Sequence, residues 1–293
     1  MRKQNSNFEA KFISEEGSKI KNNDYFGYVE LDEFACYVIA DGITELPDNE
    51  GAKLAIETII VNFQSAPSIS RHSVKRLLKL ANRVLLGKES YKQLKASVTV
   101  VVTDYQKMRY GYAGNTRLRI YRGGTVYEQT TDMSLSQGMV EREEIPKDEV
   151  MRHEERNNLY SYLGMKNFRP VISKKIKLLE TDIIALYTRG IWENVHEAEL
   201  DDVFEEADNE AQGTIDSIED ILLSRQPENL DNYTLAVIFI NKVYQNPQKR
   251  KRIKKDYSYQ CDSSSYPCRD LCSGLASLPK ETAAERGHEL LFY

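Results

Sequence analysis

Hydrophobic positions crowd together at residues 34–42, Phe-Ala-Cys-Tyr-Val-Ile-Ala-Asp-Gly, and stop at a carboxylate followed by glycine. Branched and aromatic side chains pack well on a pleated surface, so this run predicts a core strand. Asp41 then sits where the chain leaves the core, and Gly42 lets the backbone turn and bring its carbonyl close to a ligand. Two later strands carry comparable punctuation. Residues 182–188 run into Arg189-Gly190, and Asp231-Asn232 immediately precedes residues 233–240.

The rest of the pattern is taken in order. Residues 5–21 are polar and ambiguous. Residues 25–30 form a short strand that pairs with 34–40 across Leu31-Asp-Glu33. Ala52, Ala55, Ile56, Ile59, Ile60 and Phe63 recur at helical spacing over 49–64. Val74, Leu77, Leu78, Ala81, Val84 and Leu85 make a second stripe, with Ser70 or Ser73 as N-cap and Gly87 as stop. Both stripes are read as facing a sheet. Strands follow at 97–103, 108–113, 117–121 and 125–129, the last two joined by Gly123-Gly124, a hairpin signal. Residues 132–164 lose periodicity and read as functional cover. Strands at 171–179 and 182–188, helices near 197–207 and 214–224, and a strand at 233–240 complete the core. Such a series implies antiparallel sheets with paired helices outside them.

Composition narrows the class. A hydrophobic share of 41% with 29% charged is that of a soluble globular chain, and no apolar run approaches the ~20 residues that cross a bilayer. The polar first ten residues lack a signal peptide's apolar segment, so the expected location is cytoplasmic. From Tyr244 onward lie 9 of the 40 Lys+Arg and 6 of the 45 Asp+Glu, which leaves the preceding part at -8 out of the total -5. An acidic body fits metal binding or solubility and argues against nucleic acid as the main partner. The expected domain is 1–243. The stretch 244–293, with its basic run Lys249-Arg-Lys-Arg-Ile-Lys-Lys255, is read as a disordered tail that could touch anionic surfaces. Cys36 is a small buried hydrophobe. Cys261, Cys268 and Cys272 lack zinc-module spacing.

The order of these elements and motifs resembles that of type-2C (PPM family) metal-dependent serine/threonine protein phosphatases over about 17–240. Lys19–Asp24 is similar to that family's Arg-x-x-Asn-Glu-Asp opening, and Ile39-Ala-Asp-Gly42 to its Asp-Gly strand. Ala96-Ser-Val-Thr99 stands where Gly-x-Thr is usual. Ala113-Gly-Asn-Thr-Arg117 resembles Gly-Asp-Ser-Arg, followed by Thr131-Asp132. Residues 153–164 resemble the segment ending in Leu-Gly, Thr188-Arg-Gly-Ile-Trp-Glu193 stands where Ser-Asp-Gly-Leu-Trp-Asp is expected, and Asp231-Asn-Tyr-Thr234 closes the set. The resemblance implies an α+β fold, a four-layer α-β-β-α sandwich with two central antiparallel sheets. It also implies two Mg²⁺ or Mn²⁺ ions that activate a water against phosphoserine or phosphothreonine, work suited to hard oxygen ligands. Carried over by position, Asp41 bridges both metals, the Gly42 carbonyl binds one, Asp231 binds the other, and Asp24 holds metal-bound water.

The departures from the pattern decide the expectation. The second metal's other acidic ligand falls on Arg189, which cannot lose its proton and so cannot ligate a metal. Its guanidinium competes instead for Asp41 and Asp231. Asn23 and Asn115 each remove a negative charge, and the phosphate-binding arginine becomes Lys19, a point charge. The expectation is a pseudophosphatase that binds a regulatory protein or phosphopeptide and holds one Mg²⁺ or Mn²⁺ at most. The alternative is a weak phosphatase in which Asp41, Asp231 and Arg189 do the catalytic work.

Overall fold

The computed structural model of the chain describes residues 5–43, 50–87, 94–207, 210–245 and 291–292. One compact unit contains the chain as far as Tyr244 together with Leu291–Tyr293, and a second covers Gln245–Leu290. The basic run, the three tail cysteines and residues 44–49 of the predicted loop lie outside the described residues.

In chain order the first unit opens with strands β1 (Asn7–Glu15), β2 (Asp24–Glu30) and β3 (Ala35–Gly42) and helices α1 (Gly51–Ser65) and α2 (Arg71–Gly87). Strands β4 (Ala96–Thr103), β5 (Lys107–Ala113), β6 (Arg117–Arg122) and β7 (Thr125–Gln129) follow, then helix α3 (Leu135–Glu141). After β8 (Val171–Ile172), β9 (Ile176–Lys177) and β10 (Ile183–Tyr187) come helices α4 (Arg189–Trp192), α5 (Glu197–Glu205) and α6 (Ala211–Ser224). The long strand β11 (Tyr233–Lys242) and the short β12 (Leu291–Phe292) complete the set. One sheet has the order β1-β11-β10-β6-β7 and the other β12-β2-β3-β4-β5-β8, with β9 also on β5. Their pairings are antiparallel.

Alternation along each strand assigns residues to layers, because successive side chains leave a strand on opposite faces. In β3, Cys36, Val38 and Ala40 join the cluster under α1 and α2, whereas Ala35, Tyr37 and Ile39 face the other sheet. In β11, Ala236, Ile238 and Ile240 point between the sheets, and Leu235, Val237 and Phe239 pack with α5 and α6. The result is a helix-sheet-sheet-helix sandwich, the expected α+β architecture. The inter-sheet layer is apolar along most of its length. At one end the same alternation delivers Asp24, Asp41, Thr99, Thr188 and Thr234, all buried.

Several predicted elements change in detail. The ambiguous residues 5–21 contain β1, which pairs with β11 along its whole length. Its Phe8, Ala10 and Phe12 alternate toward the inter-sheet cluster, but as an edge strand it keeps many exposed polar positions that blur the pattern. The single strand expected at 171–179 is two short pairings on β5. Between them the Arg109 guanidinium hydrogen-bonds the Ser173 carbonyl and, through Nε at 3.0 Å, that of Ile69. The cover at 132–164 has local structure, α3 plus 3₁₀ turns at Lys147–Glu149 and Glu154–Asn157. Ser70 caps α2 by accepting the Ser73 N–H at 3.1 Å.

Gly190 and Gly17 both press against the turn that carries Asp231. A Cβ on Gly190 would lie 2.4 Å from the Asn232 carbonyl oxygen, and one on Gly17, whose φ is +60°, 2.4 Å from that of Asp231. Gly190→Ala is expected to destabilise by about 1–3 kcal/mol, the usual range for overpacking against fixed backbone. Urea unfolding with an unchanged m-value measures it.

Candidate functional site

The polar end of the inter-sheet layer is assembled by the ends of four strands. Asp24 opens β2 and Asp41 lies next to last in β3, and the two are cross-strand partners. Thr188 ends the β10 segment, and Asp231 stands two residues before β11. Asn232 ties these pieces together. Its Oδ1 accepts the Asn23 N–H at 3.0 Å, and its Nδ2 donates to the carbonyls of Glu16 at 2.8 Å and Lys21 at 3.1 Å. The opening motif and the closing Asp-Asn motif, more than two hundred residues apart, are thereby one structural unit.

Within this unit Thr188 Oγ1 donates to Asp24 Oδ2 at 2.5 Å and accepts the Thr234 N–H at 2.9 Å. Burial, then the neighbouring Asp41 carboxylate, raise the Asp24 carboxyl well above the usual range. Burial also raises that of Asp41, with Arg189 opposing and Asp231 and Glu193 reinforcing the shift. Gly42 closes β3 opposite Ala96. Lys19, half exposed, stands 3.9 Å from Asp231.

Arg189 enters from the first turn of α4, and its Nη2 forms an ion pair with Asp231 Oδ2. Burial works against its charge, but the carboxylates of Asp41, Asp231, Glu193 and Asp24 outweigh that and hold it firmly protonated. Its Nε is a buried donor with no hydrogen-bond partner, and the Oδ1 of neighbouring Asn23 is likewise unpartnered.

The covering segment closes on the same place. Arg156 Nε donates to Glu193 at 2.6 Å, Asn157 Nδ2 donates to the same oxygen at 3.1 Å, and Asn115 Nδ2 reaches Asn157 Oδ1 at 3.3 Å. Arg117 grips Asp132 with Nε and Nη2 at 3.1 and 2.8 Å and lies 4.2 Å over the Trp192 ring. Trp192 in turn donates to the Asn115 carbonyl at 3.0 Å. A cleft of about 780 Å³ borders Glu193, with Arg117, Lys147, Arg152, His196 and Arg225 among its lining residues.

All the site residues expected from sequence thus gather here: Asp24, Asp41, Gly42, Arg189, Asp231 and Lys19. Sequence reasoning passed over Thr188, Glu193, Asn232, Arg156 and Asn157. All five stood inside recognised motifs, Arg156 and Asn157 within 153–164, but no local pattern marked them as reaching Glu193. Among the described residues no three or more His, Cys, Asp or Glu side chains come together as a metal cage. The Arg189 guanidinium stands inside the acidic cluster and already engages Asp231.

No protein-family model matches the chain. Protein phosphatase PhpP of Streptococcus pneumoniae is 21% identical over 243 residues, which span 80% of this chain and 98% of that protein. Serine/threonine phosphatase Stp1 from Staphylococcus aureus superposes with a TM-score of 0.70 at 19% identity, covering 80% of this chain and 96% of that one. A catalytic domain of serine/threonine protein phosphatase PstP, solved with two manganese ions, gives 0.65 at 15% identity over 80% and 98%. The fold is that of the bacterial PPM-type serine/threonine phosphatases.

The raised Asp24 carboxyl has a sign. The folded state holds that proton more tightly than the unfolded state, so stability falls as pH rises from the ordinary carboxylate range through the raised folded value. Asp24→Asn keeps the size and an acceptor for Thr188 while removing the buried charge. It is expected to stabilise the protein at pH 7 by about 0.5–2 kcal/mol, as relief of a functional strain commonly does. The gain should vanish below about pH 4. Thermal unfolding of both proteins from pH 4 to 8 reads it.

Proposed function

We propose that this domain is a pseudophosphatase, a PPM fold that captures a phosphorylated protein segment without a two-metal centre to hydrolyse it. The observation that carries this reading is the ion pair of Arg189 with Asp231 inside the acidic cluster. A divalent ion a few ångströms from that guanidinium would be repelled by roughly 8 kcal/mol at an effective dielectric of 20, twice the ~4 kcal/mol between unit charges. The acids meanwhile have their own cations, Arg189 and Lys19 on Asp231 and Arg156 on Glu193. At most one Mg²⁺ or Mn²⁺ has a place left, at Asp41 and the Gly42 carbonyl.

A phosphoryl group matches what remains. The Arg189 side chain, 27% exposed, is a donor for a phosphoryl oxygen, and Lys19 supplies a mobile second charge. The cleft beside Glu193 has room for residues flanking the phosphorylated one. Phosphoproteins are therefore the proposed partners, and nucleic acid and lipid are not.

One observation favours a second reading. The orphan Nε of a buried arginine also suits stabilisation of charge on a transferring phosphoryl group. The domain would then be a weak phosphatase using one ion, with Arg189 as a catalytic residue.

One experiment separates the two. Mn²⁺ titration calorimetry and phosphopeptide hydrolysis are measured on the intact chain and on Arg189→Asp. The pseudophosphatase reading expects no turnover in the parent, with Mn²⁺ binding and Mn²⁺-dependent hydrolysis appearing or rising at least tenfold in the variant. Turnover in the parent that falls in Arg189→Asp overturns it in favour of the second reading.

A further inference from the structure

Lys107 and Lys177 stand directly opposite each other where β5 pairs with β9, so they share one face of the sheet. Like charges in that relation, with Cβ atoms about 5 Å apart, are destabilising. Two residues further along β5, on the same face, Arg109 is only 8% exposed, and arginine is seldom so buried without a carboxylate beside it. Its guanidinium donates instead to two backbone carbonyls, those of Ile69 and Ser173. Burial and the charge of Arg71, the first residue of α2, both lower its pKa. The loop that Arg109 clamps continues into Lys174 and Lys175, both exposed. Among the described residues no ion pair engages any of these six cations. The acids of the adjoining turns are Asp104 and Glu180. Asp104 is turned to its own backbone, accepting the N–H of Gln106 at 3.0 Å and that of Lys107 at 2.7 Å.

We propose that the face carrying Lys107, Arg109 and Lys177, flanked by Arg71, Lys174 and Lys175, is a docking surface for a short acidic segment of a partner protein. Charge complementarity sets the chemistry of the occupant, and the acidity of the rest of the chain sets its size. The whole chain has a net charge of -5, so a positive surface of this kind is local. A nucleic-acid duplex or an anionic membrane extends past the patch and brings its charge against that acidic remainder, within the ~8 Å over which charges interact at physiological ionic strength. A peptide with a few adjacent Asp or Glu residues ends where the patch ends.

The surface is separate from the acidic centre. Ala113, at the other end of β5, pairs with Val98, next to the Ser97↔Asp41 pair. Lys107 lies six residues before Ala113, about 20 Å along the strand at the usual rise. A segment held at Lys107 and Lys177 therefore tethers its protein near the centre without occupying it. This inference is independent of whether the centre hydrolyses phosphate.

Calorimetric melting of the full chain, with and without an oligoglutamate peptide, tests it. A ligand that binds only the folded state raises the melting temperature as its concentration rises. Lys107→Glu turns the like-charged cross-strand pair into an oppositely charged one. Without peptide this variant is expected to melt above the parent, and with peptide to lose most of the rise, its apparent affinity falling about tenfold. Lys11→Glu, which makes the same change in net charge on β1 of the other sheet, should keep the rise. Added salt should shrink it in every case. No rise in the parent overturns the proposal, as does an equal rise in Lys107→Glu or an equal loss in Lys11→Glu. So does a larger rise with duplex DNA or phosphatidylserine vesicles at the same concentration of charge, because the occupant would then be a polyanion of another class.

Discussion

The ion pair between Arg189 and Asp231 is the interaction on which the acidic end of the sandwich depends. Four carboxylates, those of Asp24, Asp41, Asp231 and Glu193, interact there at the edge of an otherwise apolar layer. Arg189 and Lys19 on Asp231 and Arg156 on Glu193 balance part of that charge. The pair is partly desolvated, with 27% and 15% of the two side chains exposed, so it stands between surface pairs of about 0–1 kcal/mol and buried ones whose disruption costs about 3–5 kcal/mol.

Around that pair the backbone is held with unusual redundancy. Asn232 joins three segments, Gly17 and Gly190 allow the chain to approach the Asp231 turn closely, and Thr188 links Asp24 to β11. The covering segment is pinned independently, by Arg117 on Asp132 and by Arg156 and Asn157 on Glu193.

The centre is also tied to the edge of its sheet. Asp24 begins the strand that β12 pairs with, so the acidic cluster and the outermost backbone of the sheet share one element.

Much of this was written in local sequence. The period-2 run of β3, the helical stripes of α1 and α2 and the Gly123-Gly124 hairpin follow from short-range geometry, because side-chain direction and turn handedness are local properties. The order of the motifs pointed to the sandwich. Sequence could not reveal β1 as a strand, since its edge position left polar residues among its apolar ones. Nor could it show Arg156 and Asn157 reaching Glu193, the orphaned Arg189 Nε, or Leu291–Phe292 against β2. Those depend on which groups from distant segments come within hydrogen-bonding distance, and only the packing of the two sheets decides that.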